Sequence, residues 1–181
     1  MTRSRRDFIK LGLGALTTCL LPMPALAAVM TKPDAERHLA FYNTHTGESA
    51  DVCYYDQGGY CDKSLDRINH ILRDHRTNEI KPIDPKLLDH LYALKLKIGT
   101  NSPFHVISGY RSPATNAALR KSSSGVARKS YHTRGRAIDI RLPGYNTRRL
   151  RNACISLNTG GVGYYEKSNF VHFDTGPVRS W

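Results

Sequence analysis

Two histidines and one aspartate in the second half of the sequence have the residue types of a zinc site. His132 and Asp139 stand close together in the chain, and His172 follows 33 residues after Asp139. Alternation along an extended strand over 137–142 places Asp139 on its less apolar face, where a carboxylate can meet solvent or a metal. Two imidazoles and one carboxylate leave a fourth zinc position open for water, as a hydrolytic site requires.

These residues converge only if the strands that carry Asp139 and His172 are neighbours. Apolar periodicity and turn residues predict strands before and between amphipathic helices. Helices come early and strands come late and close together, which favours an α+β fold with a small, mostly antiparallel sheet flanked by helices over repeating βαβ units. The glycine-rich run 160–163 is interpreted as a turn. The predicted strands are 38–42, 49–55, 104–108, 137–142 and 170–174, and the predicted helices are 62–73, 85–98, 113–120 and 147–157.

The first 27 residues have the three parts of a secretory signal: a basic head, an apolar stretch over 11–21 and an Ala-Leu-Ala exit ending at Ala27. The pair Arg5-Arg6 resembles the twin-arginine signal, which exports folded proteins. We expect residues 1–27 to be removed and 28–181 to form a single domain without a stable membrane anchor. The apolar run is too short for a membrane-spanning helix.

The chain is strongly basic, with a formal net charge of +12. Four basic residues and one acidic residue lie in 1–27, so +9 remains from residue 28 onward. Such a charge suits nucleic acid or an anionic polymer. Export to the periplasm argues against nucleic acid and favours peptidoglycan stem peptides, which are rich in free carboxylates. The basic run 120–129 is either a solvated loop or, as a hypothesis, a contact for those carboxylates.

Three cysteines remain after the predicted cleavage. Cys53 and Cys61 flank a predicted hairpin that would set them opposite each other. An oxidising compartment favours a disulfide between them, whereas folding before export in a reducing cytoplasm opposes it, so the pairing stays open. Cys154 shares a helix face with Leu150 and Leu157 and is expected to be a buried apolar residue.

The segment 130–139 reads Ser-x-His-x-x-Gly-x-Ala-x-Asp and is followed by a strand histidine. This pattern resembles the zinc D-Ala-D-Ala metallopeptidases, a group related in fold to lysostaphin-type peptidases and to the hedgehog domain. The sequence is most similar to their murein endopeptidase K branch, and the match covers essentially the whole chain from residue 28 onward. The matching segments are 43–48, 83–85, 106–112, 130–133, 160–165 and 170–177, with Trp181 at the end.

The resemblance implies one zinc ion, held by His132, Asp139 and His172. It also implies that Arg111, in the Ser-Gly-Tyr-Arg element, binds substrate or stabilises the oxyanion. The alternative for Arg111 is a surface ion pair.

The general base is less clear from the resemblance. The group places an acidic residue three positions before the last zinc histidine, and here that position is Asn169, which cannot take a proton at neutral pH. We prefer Asp174, which shares a strand face with His172 and either reaches the metal-bound water or orients a ligand imidazole. Glu166, where the hedgehog domain carries a glutamate, is the other candidate.

The sequence therefore predicts a periplasmic zinc peptidase that acts on peptidoglycan peptides. By resemblance, its bond is the L,D link between two diaminopimelate residues in 3-3 cross-links. One rival is a D,D-carboxypeptidase or D,D-endopeptidase, and another is a zinc-dependent binding module that has lost catalysis. The remaining histidines are expected to be surface or packed residues: His38, His45, His70, His75, His90 and His105.

Overall fold

The structure is a computed structural model that describes residues 36–123 and 125–181. The predicted signal peptide, residues 1–27, lies outside the described residues. Within them the chain forms four α-helices, one 3-10 helix and eight strands. None of the helices in these two ranges is long and apolar enough to cross a membrane.

The helices and strands follow one another with short connections. The strands are β1 (Arg37–Asn43), β2 (Ser49–Asp56), β3 (Gly59–Tyr60), β4 (Phe104–Ser108), β5 (Ala137–Arg141), β6 (Gly161–Tyr165), β7 (Phe170–Asp174) and β8 (Arg179–Ser180). The helices are α1 (Asp62–Ile71), α2 (Pro85–Ile98), α3 (Pro113–Ser122) and α4 (Thr147–Leu157), with the 3-10 helix at Tyr131–Arg134.

The eight strands form one mixed sheet in the order β3-β2-β1-β4-β5-β7-β6-β8. The α+β class is confirmed, but the expectation of a small, mostly antiparallel sheet is wrong in the strict sense. β1 runs parallel to β4, and β6 runs parallel to β8. The first parallel pair arises because α1 and α2 carry the chain across the sheet before β4 begins.

The glycine-rich run 160–163 is not merely a turn, because most of it lies in β6. This strand pairs with β7 and continues through Tyr165. A Cβ added to Gly163 would lie 2.7 Å from the ring of Trp181, so a side chain there would displace that ring. Glycine within a strand often marks such a close approach, which explains why propensity alone predicts a turn.

One face of the sheet forms the hydrophobic core. Ile138 and Ile140 of β5 and Val171 and Phe173 of β7 are fully buried. They pack in one cluster with apolar side chains of α1, α2 and α4. Strand alternation turns the residues between them to the other face, which the core helices leave uncovered and which carries Asp139 and His172.

Helix α2 begins and ends as its sequence predicts. Asp84 caps it by accepting a hydrogen bond from the backbone N–H of Lys86 at 3.0 Å, and Pro85 is its first residue. Gly99 ends it in the left-handed conformation, at φ 70°. These signals define where the helix begins and ends.

A buried charge joins α2 to the edge of the sheet. The Asp89 carboxylate accepts hydrogen bonds from Arg37 at 2.7 Å, Tyr54 at 2.9 Å and Tyr60 at 2.7 Å. Three donors compensate the cost of burying the carboxylate, and they come from β1, β2 and β3. Removing it would take the carboxylate partner away from the buried Arg37 and from the buried Tyr54 hydroxyl.

We therefore expect Asp89→Ala to lower the free energy of unfolding by about 3–5 kcal/mol. Urea denaturation of residues 28–181 measures this change. Asp66→Ala is the matched control, because Asp66 lies exposed on α1. It should change stability by no more than about 0.5 kcal/mol. Equal stability of the two variants would contradict a structural role for the Asp89 cluster.

Candidate metal centre

His132 is presented by the 3-10 helix that precedes β5. Ser130 caps this helix, and Gly135 ends it at φ 65°. A Cβ at Gly135 would lie 2.3 Å from the carbonyl oxygen of Pro82, so only glycine fits this turn. The His132 ring is 1% exposed, and its Nδ1 lies 2.7 Å from the carbonyl oxygen of Gly109.

Asp139 and His172 lie directly opposite each other on the neighbouring strands β5 and β7. Asp139 Oδ1 is 2.8 Å from His172 Nδ1 and 3.1 Å from His132 Nε2. The two imidazole nitrogens are themselves 3.1 Å apart. The structure thus brings together the three residues that the sequence proposes as ligands.

The hydrogen bonds at the far side of each ring determine which nitrogen of that ring faces the cluster. A backbone carbonyl can only accept, so His132 donates its Nδ1–H to Gly109 and turns the Nε2 lone pair inward. His172 donates Nε2–H to Asp174 at 3.0 Å, which leaves Nδ1 facing Asp139. Two ring lone pairs and a carboxylate oxygen therefore meet at one point. This donor set fits a zinc ion.

The electrostatics of the cluster agree with this arrangement. Burial opposes the charged form of His172, but hydrogen bonds to Asp139 and Asp174 outweigh it and raise its pKa to about 9. Burial and the neighbouring Arg111 lower the pKa of His132. Burial alone would raise the pKa of Asp139, yet the two imidazoles hold it well below its usual value. Asp139 is ionised, and a proton occupies His172 where a cation would otherwise bind.

Asp174 contacts the side of His172 that faces away from the cluster. Its carboxylate is fully buried and also accepts hydrogen bonds from the backbone N–H groups of Gly161 at 3.0 Å and Gly176 at 2.8 Å. Arg179 donates to it at 2.6 Å. Burial would raise the pKa of Asp174, but these partners lower it. Of the two roles considered for Asp174, these contacts favour orientation of the imidazole.

Arg179 is a site residue that the sequence analysis missed. It follows the last matching segment, 170–177, and reaches Asp174 through two nitrogens, Nη1 at 3.2 Å and Nη2 at 2.6 Å. Its guanidinium also lies over the Trp181 ring, 4.9 Å from the centroid. The available sequence signal for Arg179 was its position five residues after Asp174. No motif assigns a role to an arginine at that spacing.

Arg111 lies inside the site and is not a surface residue. Its Nη2 donates to Asp139 Oδ2 at 3.1 Å, and its Nε donates to the Ser108 hydroxyl at 3.1 Å. The guanidinium therefore contacts the carboxylate oxygen that does not face the imidazoles. Its side chain is only 12% exposed.

Glu166, the other candidate for the base, and Asn169, which occupies the position where the family carries an acidic residue, lie elsewhere. Glu166 is 65% exposed and pairs with Arg148 at 3.2 Å. Asn169 occupies the turn before β7 at φ 52°, a conformation that asparagine tolerates, and its amide oxygen accepts a hydrogen bond from Thr147. Neither residue lines the cleft described below. The turn geometry explains why an asparagine suits this position.

The triad lies in an open cleft of about 700 Å³. Trp181, at the end of the chain, packs against His172 with ring centroids 5.4 Å apart. Residues after α3 form part of the wall, and of the basic run 120–129 only Lys129 contributes a charged side chain to it among the described residues. Asp139 is the one carboxylate among the described lining residues.

Among the described residues, the remaining histidines and cysteines contribute to one other group whose possible ligand atoms lie close together. His38 lies beside Glu36 and Cys53 at the edge of β1 and β2, with ligand atoms within 4.8 Å. There the Cys53 thiol donates to the Tyr55 carbonyl at 3.2 Å, and His38 bonds Glu36 at 3.1 Å. Cys53 and Cys61 are free thiols, and Cys154 is buried, as expected.

Two histidines and one carboxylate at the floor of an open cleft are typical of mononuclear zinc hydrolases. A family model described as "Peptidoglycan L,D-endopeptidase MepK" matches residues 31–181. The chain belongs to this family, which is the branch that the sequence motifs indicate.

Curated relatives match along nearly their whole length. The peptidoglycan L,D-endopeptidase MepK of Escherichia coli (strain K12) is 48% identical over 178 residues, covering 98% of this chain and 97% of the relative. The same identity and coverage hold for the protein of that name from Shigella flexneri. The probable peptidoglycan L,D-endopeptidase MepK of Haemophilus influenzae is 41% identical over 181 residues, covering 99% and 96%.

Zinc affinity should depend on pH through His172. With a pKa of about 9, His172 carries a proton below that pH, and a cation must displace it from Nδ1. Because one proton leaves per ion, affinity should rise about tenfold per pH unit between pH 6 and 8 and level off above pH 9. Competition with a chromophoric chelator measures this slope. His105→Gln, outside the cluster, should keep it, and a pH-independent affinity would contradict the assignment.

Asp174→Asn should weaken zinc binding without removing it. The variant keeps the shape of the side chain but loses the charge that holds the His172 ring. We expect zinc affinity to fall about 10–100-fold, as for other groups that orient a metal ligand. The same competition assay measures it, with urea unfolding to check that the fold survives. Asp62→Asn, exposed at the start of α1, is the control. Unchanged affinity would show that the ring is held by other contacts.

Proposed function

We propose that this chain is a zinc-dependent peptidase that hydrolyses peptide cross-links of peptidoglycan. The observation that carries the proposal is the convergence of His132 Nε2, Asp139 Oδ1 and His172 Nδ1 on the floor of an open cleft. Membership of a family described as peptidoglycan L,D-endopeptidase supplies the substrate class.

The preferred bond in this proposal is the L,D link between two diaminopimelate residues in 3-3 cross-links. Support comes from the names of the relatives, which describe L,D-endopeptidases. The proposed location is the periplasm, reached by a signal in residues 1–27 of twin-arginine type. This placement puts the enzyme beside its polymer.

His132, Asp139 and His172 would hold the zinc ion. When bound, zinc lowers the pKa of a water molecule and polarises the scissile carbonyl. Asp174 acts as a positioning residue: it accepts the Nε2–H of His172 and keeps the Nδ1 lone pair directed at the centre. Arg179 in turn holds Asp174.

Arg111 supplies a fixed positive charge next to the reacting group. Its guanidinium lies 3.1 Å from Asp139 Oδ2, one carboxylate away from the centre. Burial lowers the pKa of Arg111, and the Asp139 carboxylate opposes that shift, so the charge is kept. A cation preorganised there stabilises the negative charge that develops on the carbonyl oxygen during attack.

The decisive test combines zinc content with digestion of defined muropeptides. The wild-type chain from residue 28 should carry about one zinc ion per molecule and split 3-3 cross-linked dimers. His172→Ala should do neither, because it removes one of three ligands. Glu166→Gln should retain both properties, because Glu166 is exposed and lies outside the cleft. Metal analysis and mass spectrometry of the products give the readouts.

The product masses also separate the rival functions. Release of free D-alanine, or cleavage of 4-3 dimers alone, would replace the L,D assignment with a D,D one. A protein that binds zinc and peptidoglycan but cuts none of the dimers would be a binding module. Loss of activity in Glu166→Gln would return Glu166 to the mechanism.

A further inference from the structure

The cleft contains more positive charge than its own residues neutralise. Among the described residues that line it, Arg111 pairs with Asp139 and Arg179 pairs with Asp174. Arg76 lines the same cleft, and its guanidinium has no ion pair or hydrogen bond within residues 36–123 and 125–181. A cation left without a partner in a substrate cleft points to an anion that arrives from outside.

Contrast with a neighbouring arginine shows that this is a local feature. Arg73, three residues earlier, receives a carboxylate partner from Glu48 at 2.7 Å. This pair lowers the pKa of Glu48 to about 2, because Arg73 hydrogen-bonds to it. Within the described part of the chain, the fold therefore neutralises Arg73 and gives the guanidinium of Arg76 no ion pair.

The backbone that carries Arg76 is held in place. Asp74 is buried and accepts hydrogen bonds from the backbone N–H of Arg76 at 2.9 Å and of Ser112 at 2.8 Å. The Asp74 carbonyl accepts from Asn78 at 2.7 Å, which closes the turn. Burial would raise the pKa of Asp74, but the hydrogen bonds lower it to about 2, so this anchor stays ionised. Arg76 is thus an exposed side chain on a rigid support.

His45, which lines the same cleft as Arg76, stacks on the His75 ring. The His45 and His75 rings lie 3.9 Å apart and 10° from parallel. His45 Nε2 lies 3.1 Å from the Ile107 carbonyl oxygen, and the Asn43 side chain accepts from the backbone N–H of His45 at 2.9 Å. Both contacts fix the ring at the edge of the cleft, where His45 is a lining residue.

A second guanidinium, that of Arg111, lines the same cleft as Arg76. The partner of Arg111, Asp139, is a proposed zinc ligand, so zinc binding would draw its negative charge toward the metal. An anion placed near both guanidiniums relieves their repulsion.

We propose that Arg76 binds a free carboxylate of the diaminopimelate residue next to the scissile bond. The inference rests on the proposed function and names a specificity-determining residue for it. Diaminopimelate has two amino-acid centres, so a 3-3 cross-link leaves a carboxylate beside the scissile amide nitrogen. A guanidinium binds such a group through two parallel hydrogen bonds. A primary amide in its place removes the charge and one of the two acceptor oxygens.

The test compares Arg76→Gln with the wild type on two 3-3 dimers, one with free diaminopimelate carboxylates and one with those groups converted to amides. For the free-acid dimer, KM should rise about tenfold or more with kcat within about twofold, because a charge-assisted contact is lost. For the amide dimer, Arg76→Gln and the wild type should have the same KM. Arg67→Gln is the matched control, since Arg67 is exposed on α1 and does not line the cleft.

Equal effects of Arg76→Gln on both dimers, or no effect on either, would overturn the inference. A second measurement keeps it distinct from the proposed function. Both dimers are prepared with a non-hydrolysable methylene-amine in place of the scissile amide. Their dissociation constants are then measured by titration of the zinc-loaded wild type and Arg76→Gln. Carboxylate binding that depends on Arg76 without any hydrolysis would refute the peptidase and keep the subsite. Hydrolysis of the cleavable dimer, with no loss of affinity in Arg76→Gln, would support the peptidase and refute the Arg76 subsite.

Discussion

The arrangement of the site depends on the meeting of three acceptor atoms in a nearly dry space. His132 Nε2, His172 Nδ1 and Asp139 Oδ1 lie within 2.8–3.1 Å of one another. Lone pairs at such distances repel unless a proton or a cation lies between them. The three atoms stay together despite this repulsion because a hydrogen bond at the far nitrogen of each ring prevents the imidazole from turning away. The turn at Gly135 positions His132, and the buried carboxylate of Asp174 holds the His172 ring.

That constraint explains why the end of the chain belongs to the site. Asp174 can hold His172 only if its own buried charge is satisfied, and four donors do this, including Arg179. Arg179 belongs to β8, which pairs with β6. Trp181 follows and covers Gly163, the residue opposite His172. The glycines of β6 are therefore a consequence of how tightly the terminus packs over the metal-binding strands.

Sequence patterns predict the parts of this molecule that obey local rules. Strands with apolar alternation, the capped helix α2 and the convergence of His132, Asp139 and His172 are all recovered. The two short strands β3 and β8 are missed because two residues have no periodicity. β6 is missed because its glycines reflect contacts with residues far along the chain. The parallel pairing of β1 with β4 depends on the crossover, which residue spacing does not encode.

Charge balance connects the site to its proposed substrate. Around the centre, the carboxylates of Asp139 and Asp174 are matched by the guanidiniums of Arg111 and Arg179, so the four side chains are neutral as a group. A divalent cation would add two positive charges to that group, and Arg76 lines the same cleft without an ion pair to any residue that the structure describes. A neutral peptide would leave this charge uncompensated in the cleft. A peptide with carboxylates beside the scissile bond compensates it, so the same electrostatics that admit the metal favour an anionic substrate.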